Sequence, residues 1–386
     1  MAFVVTSYDL LIKNGTVIDP ATGAKGKRDV GIYGSHIADV FEPGTKPGKI
    51  CGGRVIDAAG KYVVPGLIDS HAHVLPGLPF SYPIDEVWKR GIVSLIDLGS
   101  NAAGSFNRLR RQYIDQAPMP VNVALGLSCL TDCRGGITRY SDLEKEVNKE
   151  QIKEVFETNP DCLVGMKVLI GHNDSPGQEL TLAVMKKARE VCDYVGCRMF
   201  VHVANPDAAL PEFIDYFQAG DVFEHTYNKG NILNEEGRVY PEAWKAKERG
   251  VLFNSSRGSR NWSSEVARLA FDQGFVPDII SDDLTCLSND PYTSRLHVHM
   301  GECAAMGMPV DEVLRKVTVE PAKLMKNVEV GVRRGLPANL TILDINEGEH
   351  EFRDAFGLTY PGPVKFTPMA TIYRGEIKYN AIETDF

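Results

Sequence analysis

Tyr62-Val63-Val64-Pro65-Gly66-Leu67-Ile68-Asp69-Ser70-His71-Ala72-His73 is the stretch on which the reading of this chain turns. Its apolar run, Tyr62 to Ile68, reads as a buried strand that ends in two histidines one residue apart. In extended backbone, residues i and i+2 point to the same side. His71 and His73 can therefore offer two imidazole nitrogens to one metal ion at the strand's C-terminal end. In α/β barrels, catalytic groups sit at strand ends of this kind. A lone His-x-His is a weak signal, so the weight falls on whether further ligands follow at barrel spacing.

They do. From Tyr62 onward, strand, loop and helix alternate. Strands are expected at Tyr62–Ile68, Gly91–Leu98, Val121–Leu127, Leu163–Leu169, Met199–Val203, Val222–His225, Val251–Asn254 and Asp278–Ser281. Amphipathic helices are expected at Ser141–Thr158, Leu180–Val195, Pro211–Ala219, Ser264–Gly274 and Val310–Val317. Eight such units in about 250 residues predict an α/β chain with a (β/α)8 TIM barrel, placed at residues 61–329. Residues 8 to 60 look all-β, with a hairpin around Gly34-Ser35, and β character returns after Val328. Both chain ends, 1–60 and 330–386, are therefore expected to form one small β domain.

Composition narrows the function. The 386 residues are 43% hydrophobic and 24% charged, as in an ordinary globular protein. A net charge of −9 without a basic cluster argues against nucleic-acid binding. No apolar run is long enough for a bilayer span and no signal peptide is seen, so no membrane association is expected. Eight scattered cysteines without paired CxxC motifs indicate neither a zinc knot nor a disulfide framework. Free thiols in the cytoplasm are the simplest reading. Oligomeric state is left open, a homo-oligomer included.

Four later strand ends carry ionisable groups suited to metal chemistry: Gly165-Met166-Lys167-Val168, Phe200-Val201-His202-Val203, Phe223-Glu224-His225-Thr226 and Ile280-Ser281-Asp282-Asp283-Leu284. A closed barrel brings such ends to one face. Together with the opening stretch, and with Val317-Thr318-Val319-Glu320-Pro321-Ala322, they give the chain a resemblance to the amidohydrolase superfamily of metal-dependent hydrolases. The resemblance spans nearly the whole length. It is closest to the deacetylase-like branch, often labelled dihydroorotase-like, through His225-Thr226-Tyr227-Asn228 and Pro277-Asp278-Ile279-Ile280-Ser281-Asp282-Asp283.

The resemblance implies two divalent ions, usually zinc. His71 and His73 would hold the first and His202 and His225 the second. Lys167 would bridge them after its amine takes up carbon dioxide as a lysine carbamate, since an ammonium cannot ligate a cation. Asp283 would ligate the first ion, take a proton from the bridging water and pass it to the leaving group. Asp282 is the second choice for that role.

Departures from relatives narrow the substrate. Dihydroorotases carry an arginine where this chain has Leu75, and hydantoinases a tyrosine where it has His172. The loop after the seventh strand reads Ser256-Arg257-Gly258-Ser259-Arg260, where relatives often read Gly-His-Gly. Arg257 and Arg260 could clamp a carboxylate or phosphate, and His172 and Asn228 join them as expected substrate contacts. His297-Val298-His299 is expected to open a helix, where i and i+2 do not share a face, and is read as structural or as a pocket rim. The expected function is hydrolysis of an amide or activated ester of a small anionic molecule, an N-acyl amino acid or acylated hydroxy acid. Ring-opening of a cyclic amide is the second enzyme reading, and a catalytically silent scaffold the third.

Overall fold

The structure is a computed structural model and describes residues 7–45, 49–76, 80–128, 140, 142–286 and 295–382. Its strands are β1 Ser7–Asp19, β2 Ala24–Tyr33, β3 His36–Phe41, β4 Lys49–Asp57, β5 Tyr62–Pro65, β6 Leu67–Ala72, β7 Ile92–Ala102, β8 Val121–Gly126, β9 Leu163–Gly171, β10 Met199–Ala204, β11 Val222–Glu224, β12 Leu252–Phe253, β13 Leu340–Arg353, β14 Thr359–Tyr373 and β15 Glu376–Asn380. They fall into two sheets. One, in the order β15-β14-β13-β5-β1-β2-β3 with β4 on β1, draws strands from both chain ends. The other is parallel and runs β12-β11-β10-β9-β8-β7-β6.

The burial patterns explain the division. Every residue of β7 and β8 is buried, as expected for parallel strands covered on both faces. In β14 buried and exposed residues alternate over much of the strand, which marks a sheet with one wet face.

The opening stretch is not one strand but two. β5 pairs with β1 and β13 in the mixed sheet, whereas β6 begins the parallel one. The break falls at Gly66, whose amide donates to the Asn339 carbonyl at 2.9 Å. A side chain there would lie 2.3 Å from Val93 Cγ2, so only glycine lets the chain cross so close to β7.

The eighth expected strand, Asp278–Ser281, forms no ladder. Its segment instead makes single parallel bridges, Ile279 to Asn254 beyond β12 and Leu284 to Ala72 on β6. Elsewhere local signals shift the helices. The helix expected over Ser141–Thr158 is two, Leu143–Glu146 and Lys149–Thr158, because the Asn148 side chain accepts from Gln151 N and starts a new helix. Ser141 lies outside the described residues. The helix expected at Pro211–Ala219 is a short turn, Leu210–Phe213, continued as 3-10 helix to Tyr216. No helix among the described residues is long and apolar enough to cross a membrane.

Candidate metal centre

His71 lies on β6 and His73 directly follows it; Lys167 lies on β9 and His202 on β10; His225 follows β11; Asp283 lies in the bridging segment. Parallel strands carry these residues to one end of the sheet. Ligand atoms of His71, His225 and Asp283 all lie within 4.8 Å of one another. Asp283 Oδ1 is 3.3 Å from both His71 Nε2 and His73 Nε2. Lys167 Nζ is 3.1 Å from His71 Nε2, and His225 Nε2 is 2.7 Å from His202 Nδ1. All six candidate ligands thus join in one chain of contacts.

The electrostatics suit a cation. Burial pushes His71 and His202 well below the ordinary histidine value and His225 down to about 4, so their imidazoles are neutral, each with one ring nitrogen able to act as an acceptor. Burial also lowers the Lys167 amine, against the opposing pull of Glu224 and Asp283. Burial alone would raise Asp283, but His71, His73 and His225 hold its carboxyl well below the usual range. A half-buried carboxylate, neutral imidazoles and a buried amine brought together in this way fit a divalent ion.

Backbone geometry at the site is unusual. His225 (φ 59°), Ser256 (φ 37°) and Asp283 (φ 54°) are all left-handed without being glycine. Such conformations persist where surrounding bonds over-determine them. Beside Lys167, Gly99 (φ 80°) leaves the room the lysine stem needs, since a side chain there would lie 2.5 Å from Lys167 Cγ.

Several supporting groups were not singled out from the sequence. Glu224 Oε2 is 2.9 Å from His71 Nδ1, and Ser256 Oγ donates to the same oxygen. The Ser256 carbonyl accepts from His225 Nδ1 at 2.7 Å. Ser100 Oγ lies 3.4 Å from His73 Nδ1 and donates to Asp97 Oδ2 at 2.9 Å. Asp69 Oδ1 accepts from the amides of His71 and Asp282, tying the first strand to the bridging segment. The available signal was an acidic residue closing a short apolar strand, as Glu224 does after Val222-Phe223.

The expected substrate contacts are dispersed. Arg257 is buried, and its guanidinium donates to both Glu302 oxygens and to the Gly258 and Arg353 carbonyls. The Arg257 fork, expected to clamp an anion, is thus engaged inside the protein. Arg260 is exposed and forms no ion pair among the described residues. His172 is exposed and bonds Asp207 Oδ1 at 2.8 Å. Asn228 is buried and donates to Asn261 Oδ1. Asp282 is buried and pairs with Arg90 at 3.5 Å, away from the ligand cluster's contacts. The second histidine pair opens the helix Leu296–Ala305, where His299 bridges Glu302 and Ser255.

No family model matches the chain. A deacetylase of Enterococcus faecalis is 26% identical over 97% of this chain and 100% of its own length. A solved structure of an adenine deaminase superposes with TM-score 0.80 at 26% identity, covering 97% of this chain and 100% of that one. The chain belongs to the amidohydrolase superfamily. Within it the chain is deacetylase-like, and this amidohydrolase is an enzyme by kinship as well as by the groups it gathers. A dihydroorotase structure shares the fold at TM-score 0.81 and 24% identity, covering 95% of this chain and 98% of that one. Relatives at nearly equal distance thus carry names for different chemistries, so kinship leaves this amidohydrolase's substrate undetermined.

Proposed function

We propose that this amidohydrolase is a binuclear metal-dependent hydrolase of carbon–nitrogen bonds in small molecules. One observation carries it: neutral His71 and His225 and ionised Asp283 place ligand atoms within 4.8 Å, with Lys167, His73 and His202 in contact around them. His71 and His73 would hold one ion, His202 and His225 the other. The buried Lys167 amine, combining with carbon dioxide and releasing a proton to solvent, would become a carbamate reaching both. The ions, zinc by analogy, would lower the pKa of a water and polarise the scissile carbonyl. Asp283 would accept that water's proton and deliver it to the leaving nitrogen. With segment 279–284 as its eighth stave, the parallel sheet would close as a (β/α)8 barrel around these groups, with the mixed sheet as a second domain.

For the substrate, two readings compete on a specific observation. An N-acyl amino acid or another anionic acyl compound fits the deacetylase relatives, and Arg260 is then the exposed cation to meet its charge. Ring-opening of a neutral cyclic amide is favoured by the engagement of Arg257 with Glu302, which removes one half of the expected clamp. The free thiols of Cys162, Cys192, Cys197, Cys286 and Cys303 support a reducing, cytoplasmic setting. The test is to load the protein with zinc and screen N-acyl amino acids against cyclic amides. Turnover that chelators abolish supports the reading. Protein that retains no metal, or turnover indifferent to chelators, overturns it.

A further inference from the structure

The bracing groups behind the candidate ligands are themselves connected. Glu224 Oε2 lies 2.9 Å from His71 Nδ1, and Ser256 Oγ donates to that same oxygen while standing 3.2 Å from the same imidazole nitrogen. The backbone carbonyl of Ser256 accepts from His225 Nδ1 at 2.7 Å. His71 and His225 belong to different histidine pairs, yet both lean on the Glu224–Ser256 pair, His71 on the carboxylate and the hydroxyl and His225 on the Ser256 backbone carbonyl. All four residues are buried. The left-handed backbone of Ser256 (φ 37°) sends its hydroxyl toward Glu224 and its carbonyl toward His225 at once. Strain of that kind marks a position fixed by its surroundings.

We propose that Glu224 and Ser256 act as one positioning unit that sets the tautomer and direction of a histidine in each metal pair. With the Nδ1 protons of His71 and His225 held by Glu224 and by the Ser256 carbonyl, both Nε2 atoms are left as acceptors for a cation. The unit links the two halves of the site, so loosening it loosens both. This inference rests on the binuclear reading above and extends it to residues that do not touch the ions.

The experiment is a zinc titration of the metal-free protein against a chromophoric chelator, with melting of the metal-free protein recorded alongside. It compares wild type, Glu224→Gln, Ser256→Ala and the double variant. Outer carboxylates of this kind contribute about 10- to 100-fold in metal affinity. Glu224→Gln should therefore weaken zinc binding by about that factor, and Ser256→Ala should weaken it in the same direction. The double variant should be little worse than Glu224→Gln alone, because the two residues act together. A merely structural role would lower the melting temperature and leave the affinity of the folded fraction unchanged, which overturns the proposal. Fully additive losses overturn the claim of a single unit. If the wild type itself takes up no zinc, it is the binuclear reading that falls.

Discussion

Arg257 and Glu302 form a buried two-point ion pair, Nε to Oε2 at 3.0 Å and Nη2 to Oε1 at 3.2 Å. Glu302 also meets His299 Nδ1 at 2.9 Å, and Arg257 caps the carbonyls of Gly258 and Arg353. The pair fastens the loop after β12 to the helix Leu296–Ala305 and to β13. An arginine so engaged is a structural anchor for the loop lying against Asp283. Breaking a buried pair by removing one partner costs about 3–5 kcal/mol, because the other charge is left stranded. Arg257→Met should therefore lower unfolding stability by about that amount, read by urea denaturation. A variant as stable as wild type, with a selective loss of anionic substrates, would restore the clamp.

Arg260 carries whatever is left of the anion-clamp reading. It is exposed at the end of the same loop. If an anionic substrate is found, Arg260→Met should weaken its binding about 10-fold, the equivalent of about 1.4 kcal/mol, and spare a neutral analogue. Equal effects on both would leave the cyclic-amide reading in front.

Asp283 and its neighbour Asp282 should separate cleanly. Asp283 touches His71 and His73, whereas Asp282 faces Arg90. Asp283→Asn should cut turnover by about 10²- to 10⁴-fold through loss of the proton acceptor and donor. Asp282→Asn should act mainly on stability, by weakening its pair with Arg90. Measured kcat and melting temperature for the two variants decide this, and the opposite pattern would move the catalytic role to Asp282.

Lys167→Ala should release both ions, since one carbamate would serve each. Elemental analysis of the purified variant reads this directly. A full metal complement in that variant would show that the lysine does not bridge.

His297 predicts a pH dependence away from the ligands. Its Nδ1 is buried without a partner among the described residues, and burial, with Arg90, Arg295 and Lys365 nearby, pushes its pKa down to about 3. The unfolded chain takes up this proton near pH 6.5 and the folded protein only near pH 3. Between those values the unfolded state binds more protons, so this group's contribution to stability falls as pH falls, by about 1.4 kcal/mol per pH unit at most. Unfolding measured from pH 7 to pH 4 should show a shallower acid loss for His297→Gln than for wild type. Parallel curves would contradict the assignment.

Local pattern was enough to read the strand and helix alternation, the hairpin turn at Gly34-Ser35 and the His-x-His at the end of an apolar run, because periodicity and strand-end chemistry are written in neighbouring residues. The candidate ligands were proposed for the same reason, as ionisable groups on or just after apolar runs, although Asp283 stands on a segment that forms no ladder. The split at Gly66 was not, since Val63 and Leu67 are equally apolar and only the approach of Val93 shows that the chain changes sheets there. Nor was the turning of Arg257 onto Glu302, 45 residues away, or the brace from Glu224 to His71, 153 residues back. A sequence states what a side chain can donate or accept. Which partner it meets across such distances is decided only when packing brings the strands together and burial makes every unpaired polar group costly.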